Sequence, residues 1–400
     1  MKISKSKIPL YLYAICLFLW VLLYSLKIEL GNDYAIVNDV YLTVWQIIKI
    51  VLILKIIVEA RYIEIKVLLM IIVVLLLSYI SYNATGYDFL FIPFLFLAGS
   101  NNIRVDDAVK IYYNAELVFL FIMLVLYFLG MTTDAVFLRE SGRIRTSLGF
   151  RNPNQLSICL FQLSCAYLFL NRFHISSRKM AFPVFSDLFI ILVPNSYTTG
   201  ILLLLVIFST MFLNWRKVSH ITIKSKFNTY SIFRVLIIIG VVSIFAIAYI
   251  VIFKTSTAEN FFGDMHQRVE LVQRYFNYYK PKLWGQELIT HYSVNYDWRT
   301  GLWTLDNAYA FLILGLGVVM TILYLSGLII LIINLFKNNK YIELIILAAY
   351  LASGLFETFL IRFIYNFTFL FLIPLIWKSK LNGKFFIFDG LPEMKLPIYH

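Results

Sequence analysis

Apolar runs of membrane-spanning length recur from one end of this chain to the other, far more than the core of a soluble domain can absorb. Each run of roughly 17 to 25 residues is long enough to cross a hydrocarbon core about 30 Å thick. Inside lipid every backbone N–H and C=O needs an internal partner, which leaves only helices or closed barrels. Alternating, barrel-type patterning is absent, so the runs read as helices. Composition agrees, because only 14% of the 400 residues are charged, against about 25% in soluble domains. The expected fold is an all-α integral membrane protein.

Runs and breakers place spans near 8–26, 41–58, 66–82, 88–99, 113–131, 153–170, 182–194, 199–213, 233–253, 307–335, 341–358 and 361–377. That makes about twelve transmembrane helices with one long extracytoplasmic loop. The segments 182–194 and 199–213 are short and flank "NSYTTG", so they read either as two spans or as a hairpin that does not fully cross. Residues 1–253 then carry the first spans and an Arg-rich outer loop at 132–152, 254–306 form the long loop, 307–377 the last spans, and 378–400 a cytoplasmic tail.

A net charge of +13 would suggest nucleic acid in a soluble protein, but here the basic residues gather in short loops beside spans. With an even number of crossings, Lys2, Lys5, Lys7, Arg61, Lys66, Arg104, Lys110, Arg172, Arg178, Lys337 and Lys378 all fall on one side. The charge therefore reads as topology, with both termini cytoplasmic and no nucleic-acid partner. The opening stretch reads as an uncleaved first span, since its apolar run is too long for a signal peptide. Cys16, Cys159 and Cys165 sit inside apolar runs without CxxC spacing or a nearby His, so neither a disulfide framework nor a metal site is expected.

One short connection breaks the charge rule: "RESGRIRTSLGFRNPNQ" puts Arg139, Arg143, Arg145 and Arg151 on the outer side. A guanidinium binds phosphate oxygens through a planar fork and stays charged. Arg145 and Arg151 are expected to bind an anion, together with Asn154 at the start of the next span, where free helix N–H groups add to the site. Arg139 and Arg143 read equally well as solvated charges.

In the long loop, Met265, Val269, Val272, Phe276 and Tyr279 recur at spacings of four and three, the stripe of an amphipathic helix. Arg268 lies at the edge of that stripe and reaches inward, whereas Arg274 faces water. Tyr275, Tyr278, Trp284 and Trp303 suit either stacking on sugars or anchoring at the interface. His266 reads as solvated and His291 as an alternative base. Asp306 and Asn307 stand where the chain re-enters the membrane and form a natural capping pair. A carboxylate at the mouth of a low-dielectric cavity also suits general-base work toward a hydroxyl, which makes Asp306 a candidate. Lys49, near the middle of the second span, marks a cavity or a paired site, while Lys55 reads as snorkelling.

Taken in order, "RTSLGFRNPN", "QRVE…KPKLWGQ" and "LDNAYAFLILGLG" resemble the bacterial polysaccharide repeat-unit polymerases and the related O-antigen ligases, over roughly residues 140–320. The ligases carry His-Asn where this chain has Asp306–Asn307, which favours the polymerase branch. Where the family often shows Ser-Arg, this chain has Tyr197, Thr198 and Thr199. Arg362, beside Glu357 in "FETFLIRF", is a substitute for the missing phosphate contact, or else the two form a plain structural pair.

The resemblance implies a GT-C-like architecture in the bacterial cytoplasmic membrane and metal-independent glycosyl transfer without a cofactor. Undecaprenyl-diphosphate-linked oligosaccharide repeats, the lipid-linked partner of the site, would be joined on its outer face as capsule, exopolysaccharide or O-antigen. Asp306, Arg268 and Arg145 are then the expected catalytic residues, and Arg151, Asn154, Asn307, His291, Arg362 and Glu357 the expected substrate contacts. A chain-length regulator is the candidate protein partner. Ligase-type transfer and a flippase or transporter are the alternatives; a transporter calls for related halves with midplane charges, which this sequence does not show.

Overall fold

The structure, a computed structural model, describes residues 8–61, 63–134, 136–138, 144–218, 229–253, 266–289 and 301–377. Five helices open the chain: α1 (Ile8–Leu30), α2 (Ala35–Ala60), α3 (Ile65–Thr85), the short α4 (Phe91–Ala98) and α5 (Val105–Phe128). After a ladder pairing Phe137 with Arg145 and Leu138 with Ile144 come α6 (Pro153–Leu170), α7 (Ser177–Leu192), α8 (Tyr197–Val218) and α9 (Thr229–Phe253). The amphipathic α10 (His266–Tyr278), the single turn α11 (Ala308–Phe311), α12 (Val318–Lys337), α13 (Tyr341–Ser353) and the short α14 (Ile373–Ile376) complete the described set.

Among the described residues, α1, α2, α3, α5, α8 and α12 are long and apolar enough to cross a membrane. The chain is a multi-pass membrane protein. The surface agrees: α2 and α3 expose Ile47, Ile50, Leu54, Ile57, Leu69, Ile72, Val73 and Leu76, a face suited to hydrocarbon and unsuited to water. Inside, packing is aromatic. Trp20 is buried and stacks on Tyr24 and Phe363, both at 5.2 Å.

Several expected spans take another form. The run at 88–99 yields only the eight residues of α4, too short to cross alone, and Ile92, Leu95, Phe96 and Leu97 are all buried in protein. The "NSYTTG" segments are longer than their apolar runs, because Ser176 caps α7 and polar residues extend α8 to Val218.

The expected span 307–335 is broken. A π-helical turn, Leu312–Leu316, follows α11, and Gly317 at φ +91° turns the chain before α12 begins. The break is filled by backbone from the long loop: Val318 and Val319 donate to the carbonyls of Lys282 and Leu283 at 3.1 and 3.2 Å, and Gln286 donates to Gly315 at 3.0 Å. Ser81 caps the freed Leu316 carbonyl at 3.0 Å. Discontinuous helices survive at membrane depth only when such partners are supplied.

The expected last span, 361–377, is also not a regular helix. It runs as 3-10 turns at Thr358–Ile361, Phe363–Tyr365 and Phe367–Leu372, interrupted where Arg362 and Asn366 are extended. Asn366 explains the second interruption, since its amide donates to Leu360 at 2.7 Å and accepts from Thr368 N at 3.1 Å, replacing helical bonds with side-chain ones.

One lysine differs from expectation. Lys55 does not snorkel; it is buried and binds both carboxylate oxygens of Glu59 at 2.9 and 2.8 Å. Lys49, expected at a cavity or a paired site, lies 5.5 Å from the Trp45 ring.

Candidate functional site

One large open cavity, about 2080 Å³, is walled by the ends of α1, α3 and α6, by α10, by the loop segments around 279–289 and 301–306, and by the turn after α13. Arg151, Arg268 and Arg362 line it together with Asp306 and Glu357. Four separate stretches of sequence therefore place charge in one space.

The arginine loop is shaped by Asp134, whose Oδ1 accepts from Ser147 N at 2.7 Å and from Leu148 N at 3.1 Å. Leu148 and Gly149 both take positive φ in the resulting turn. Asn152 caps α6, accepting from Asn154 N at 2.8 Å, and Pro153 opens the helix. Arg151 N donates to the buried Glu29 carboxylate at 2.7 Å. With the Asn32 amide presenting its oxygen, both terminal nitrogens of the Arg151 fork donate to it at 2.9 and 3.1 Å.

Arg145 is absent from the described cavity lining and stands behind it. Its Nη2 donates to Asn154 Oδ1 at 2.6 Å and its Nε to the Pro194 carbonyl at 2.8 Å. Asn154 in turn donates through Nδ2 to Glu357 Oε1 at 3.4 Å. Arg268 approaches the same oxygen from α10, with Nη2 at 3.7 Å, while Nη1 donates to the Phe356 carbonyl. Arg268 directly, and Arg145 through Asn154, thus connect to one carboxylate from two segments far apart in sequence. Among the described residues the ion pair of Glu357 is with Arg268, a cross-segment pair in place of the plain Glu357–Arg362 pair that is one of the two sequence readings of these residues.

Arg362 points its guanidinium over the Phe89 ring at 4.7 Å, and its Nε is buried without a hydrogen-bond partner among the described residues. A buried guanidinium nitrogen with nothing to bond is costly unless a ligand supplies the acceptor. Burial pushes the Glu357 carboxyl well above the ordinary carboxylate range; Asp306 pushes the same way, and Arg268, Arg362 and Arg145 oppose it.

Of the expected α10 stripe, Val269 and Val272 are buried and Phe276 and Tyr279 half-buried, with Tyr279 just past the helix end, while Met265 lies outside the described residues. Arg274 is exposed and paired with Glu270 at 2.6 Å. Tyr275, expected among the sugar-stacking residues, is instead fully buried, its hydroxyl against the carbonyls of Ile289 (2.8 Å) and Trp303. Tyr278 and Trp303 remain exposed at the cavity. Tyr275→Phe is expected to strand the carbonyl that takes the hydroxyl's single proton and to lower stability by about 1–3 kcal/mol, measured as a lower thermal midpoint in detergent.

Asn307 takes the capping role expected of it. It is 2% exposed, accepts from Ala310 N at 2.9 Å and donates to the Leu355 carbonyl at 3.0 Å, so both ends of its amide serve the fold. His291, Arg139 and Arg143 lie outside the described residues.

Sequence reasoning passed over Glu29, Asp134 and Tyr87. Tyr87 OH accepts from Leu288 N at 3.0 Å and so pins the long loop to the end of α3. Glu29 carried no signal of its own in the sequence, because it lies just past the first apolar run in the polar stretch "KIELGND". Comparison with protein-family models, curated proteins and solved structures yields no match.

Proposed function

We propose that this protein is a membrane glycosyltransferase that polymerises undecaprenyl-diphosphate-linked oligosaccharide repeats on the outer face of the bacterial cytoplasmic membrane. In this reading both termini face the cytoplasm. The observation that carries the proposal is the meeting of Arg151, Arg268 and Arg362 with the carboxylates of Asp306 and Glu357 in one open cavity at the ends of apolar helices. A lipid diphosphate presents a doubly charged, planar-fork-compatible group at headgroup level, and guanidinium groups there stabilise the charge that develops as it leaves. A carboxylate takes the proton of the attacking sugar hydroxyl. Exposed Tyr278 and Trp303 offer apolar faces to the saccharide. Holding both lipid-linked reactants in one cavity supplies much of the rate through proximity.

The test is reconstitution of the purified protein in liposomes with lipid-linked repeat units from the host strain. Polymerase action gives a ladder of increasing chain length. Transfer of one saccharide to a different acceptor would favour ligase-type chemistry, and movement across the bilayer without new bonds would favour a flippase.

A further inference from the structure

Four carboxylates line the cavity, Glu270, Glu287, Asp306 and Glu357, and Glu357 is the one joined through Asn154 to the arginine loop. The hydrogen bonding of Glu357 is one-sided: Asn154 Nδ2 lies 3.4 Å and Arg268 Nη2 3.7 Å from Oε1, and among the described residues no hydrogen bond reaches Oε2. The side chain is 16% exposed and lines the cavity, so Oε2 is the oxygen left to meet a ligand. Asn154 has its orientation fixed from behind, because its own oxygen accepts from Arg145 at 2.6 Å. A relay of contacts therefore runs from Arg145 through Asn154 to the Glu357 carboxylate.

We propose that Glu357, rather than Asp306, is the base of the transfer reaction, and that Arg145 is a positioning residue that acts on it through Asn154. This rests on the polymerase reading. The acceptor sugar hydroxyl gives its proton to Glu357 Oε2 while its oxygen forms a bond to the anomeric carbon of the donor. The bond from that carbon to the diphosphate oxygen breaks, and its electron pair leaves with the diphosphate against the arginines. The proton then passes from Glu357 to water, which resets the site.

The pH dependence follows from the charges that face Glu357: Asp306 from the segment before α11, Arg268 from α10, Arg145 from the arginine loop and Arg362 from the 3-10 region. The active form is deprotonated, so the rate rises with pH through the Glu357 titration, which burial places above the ordinary carboxylate range. Removing the Asp306 charge makes Glu357 easier to ionise and moves this limb to lower pH.

The experiment measures single-turnover extension against pH in liposomes, with lipid-linked oligosaccharide extracted from the host strain. Glu357→Gln is expected to lose about 10²- to 10⁴-fold in rate and to lose the acid limb. Asp306→Asn keeps extending with its limb displaced toward acid. Arg145→Ala loses rate while keeping a limb, as befits a residue that orients the base. An undiminished Glu357→Gln rate, or an Asp306→Asn limb that vanishes, overturns the assignment and leaves polymerisation intact. Should Glu357→Gln fail to survive solubilisation, the direction of the Asp306→Asn displacement decides alone, and an unmoved limb overturns the proposal. Wild-type protein that extends nothing at any pH removes the polymerase reading itself.

Discussion

Arg268→Ala is expected to abolish polymer while leaving the protein inserted and folded. Two magnitudes separate these outcomes. The Arg268 side chain is 43% exposed and its contact with Glu357 is 3.7 Å long, a geometry that contributes about 0–1 kcal/mol to stability. A preorganised donor aimed at a developing oxyanion contributes about 2.7–4 kcal/mol to the transition state, or about 10²–10³ in rate. The activity loss therefore far exceeds any shift in thermal midpoint. Arg268→Lys should recover only part of the rate, because an ammonium keeps the charge and loses the fork. In vivo polymer length together with the unfolding midpoint of the purified variant checks both halves; a variant that polymerises normally would remove Arg268 from the site.

Gly317→Ala should cost the long loop its seat. A Cβ at this position would stand 2.2 Å from Gly285 N and 2.6 Å from the Leu283 carbonyl, and φ is +91°. Gly285 faces it with φ +83°, and a Cβ there would meet the Gly315 carbonyl at 2.1 Å. Both contacts are backbone, so no rotamer change relieves them. The conformation alone costs roughly 1–3 kcal/mol for a residue with a side chain, and the clash adds the loss of the Lys282, Leu283 and Gln286 bonds across the break. Proteolysis at the 280–289 segment should accelerate and activity should fall with it. Gly327→Ala, where a Cβ meets nothing within 4 Å, should leave both unchanged. Equal protease resistance in the Gly317 variant and wild type would refute the seating.

Residues whose role is set by local pattern were readable in advance, and those whose role is set by distant partners were not. The apolar runs of α1, α2, α3 and α5 announced helices because hydrophobic length is a property of one segment. The α10 stripe did so because helical periodicity is likewise local, and Val269 and Val272 are buried as it requires. The Gly317 break escaped notice because the run around it is apolar throughout, and only the inserted backbone of residues 282–286 makes it stable. The 3-10 course of 358–372 was hidden for a similar reason, since it depends on Asn366 replacing helical bonds inside an aromatic core.

The site divides in the same way. Four arginines gathered in one short connection between apolar runs stand out locally, which made Arg145 and Arg151 candidates from sequence. That Arg145 stands behind Asn154, and that Arg151 is seated on Glu29 and Asn32, depends on where α1 and α6 end in space. Asn307 was ambiguous because an amide that caps a helix and an amide that binds a sugar are the same residue until its neighbours are known.

The most direct test is an experimental structure of the protein in lipid nanodiscs with undecaprenyl diphosphate added. The diphosphate should lie in the large cavity within reach of the guanidinium groups of Arg151, Arg268 and Arg362, on the outer side of the membrane. Diphosphate density at the opposite end of the helices, or a cavity in which these arginines point away from the bound lipid, would contradict it.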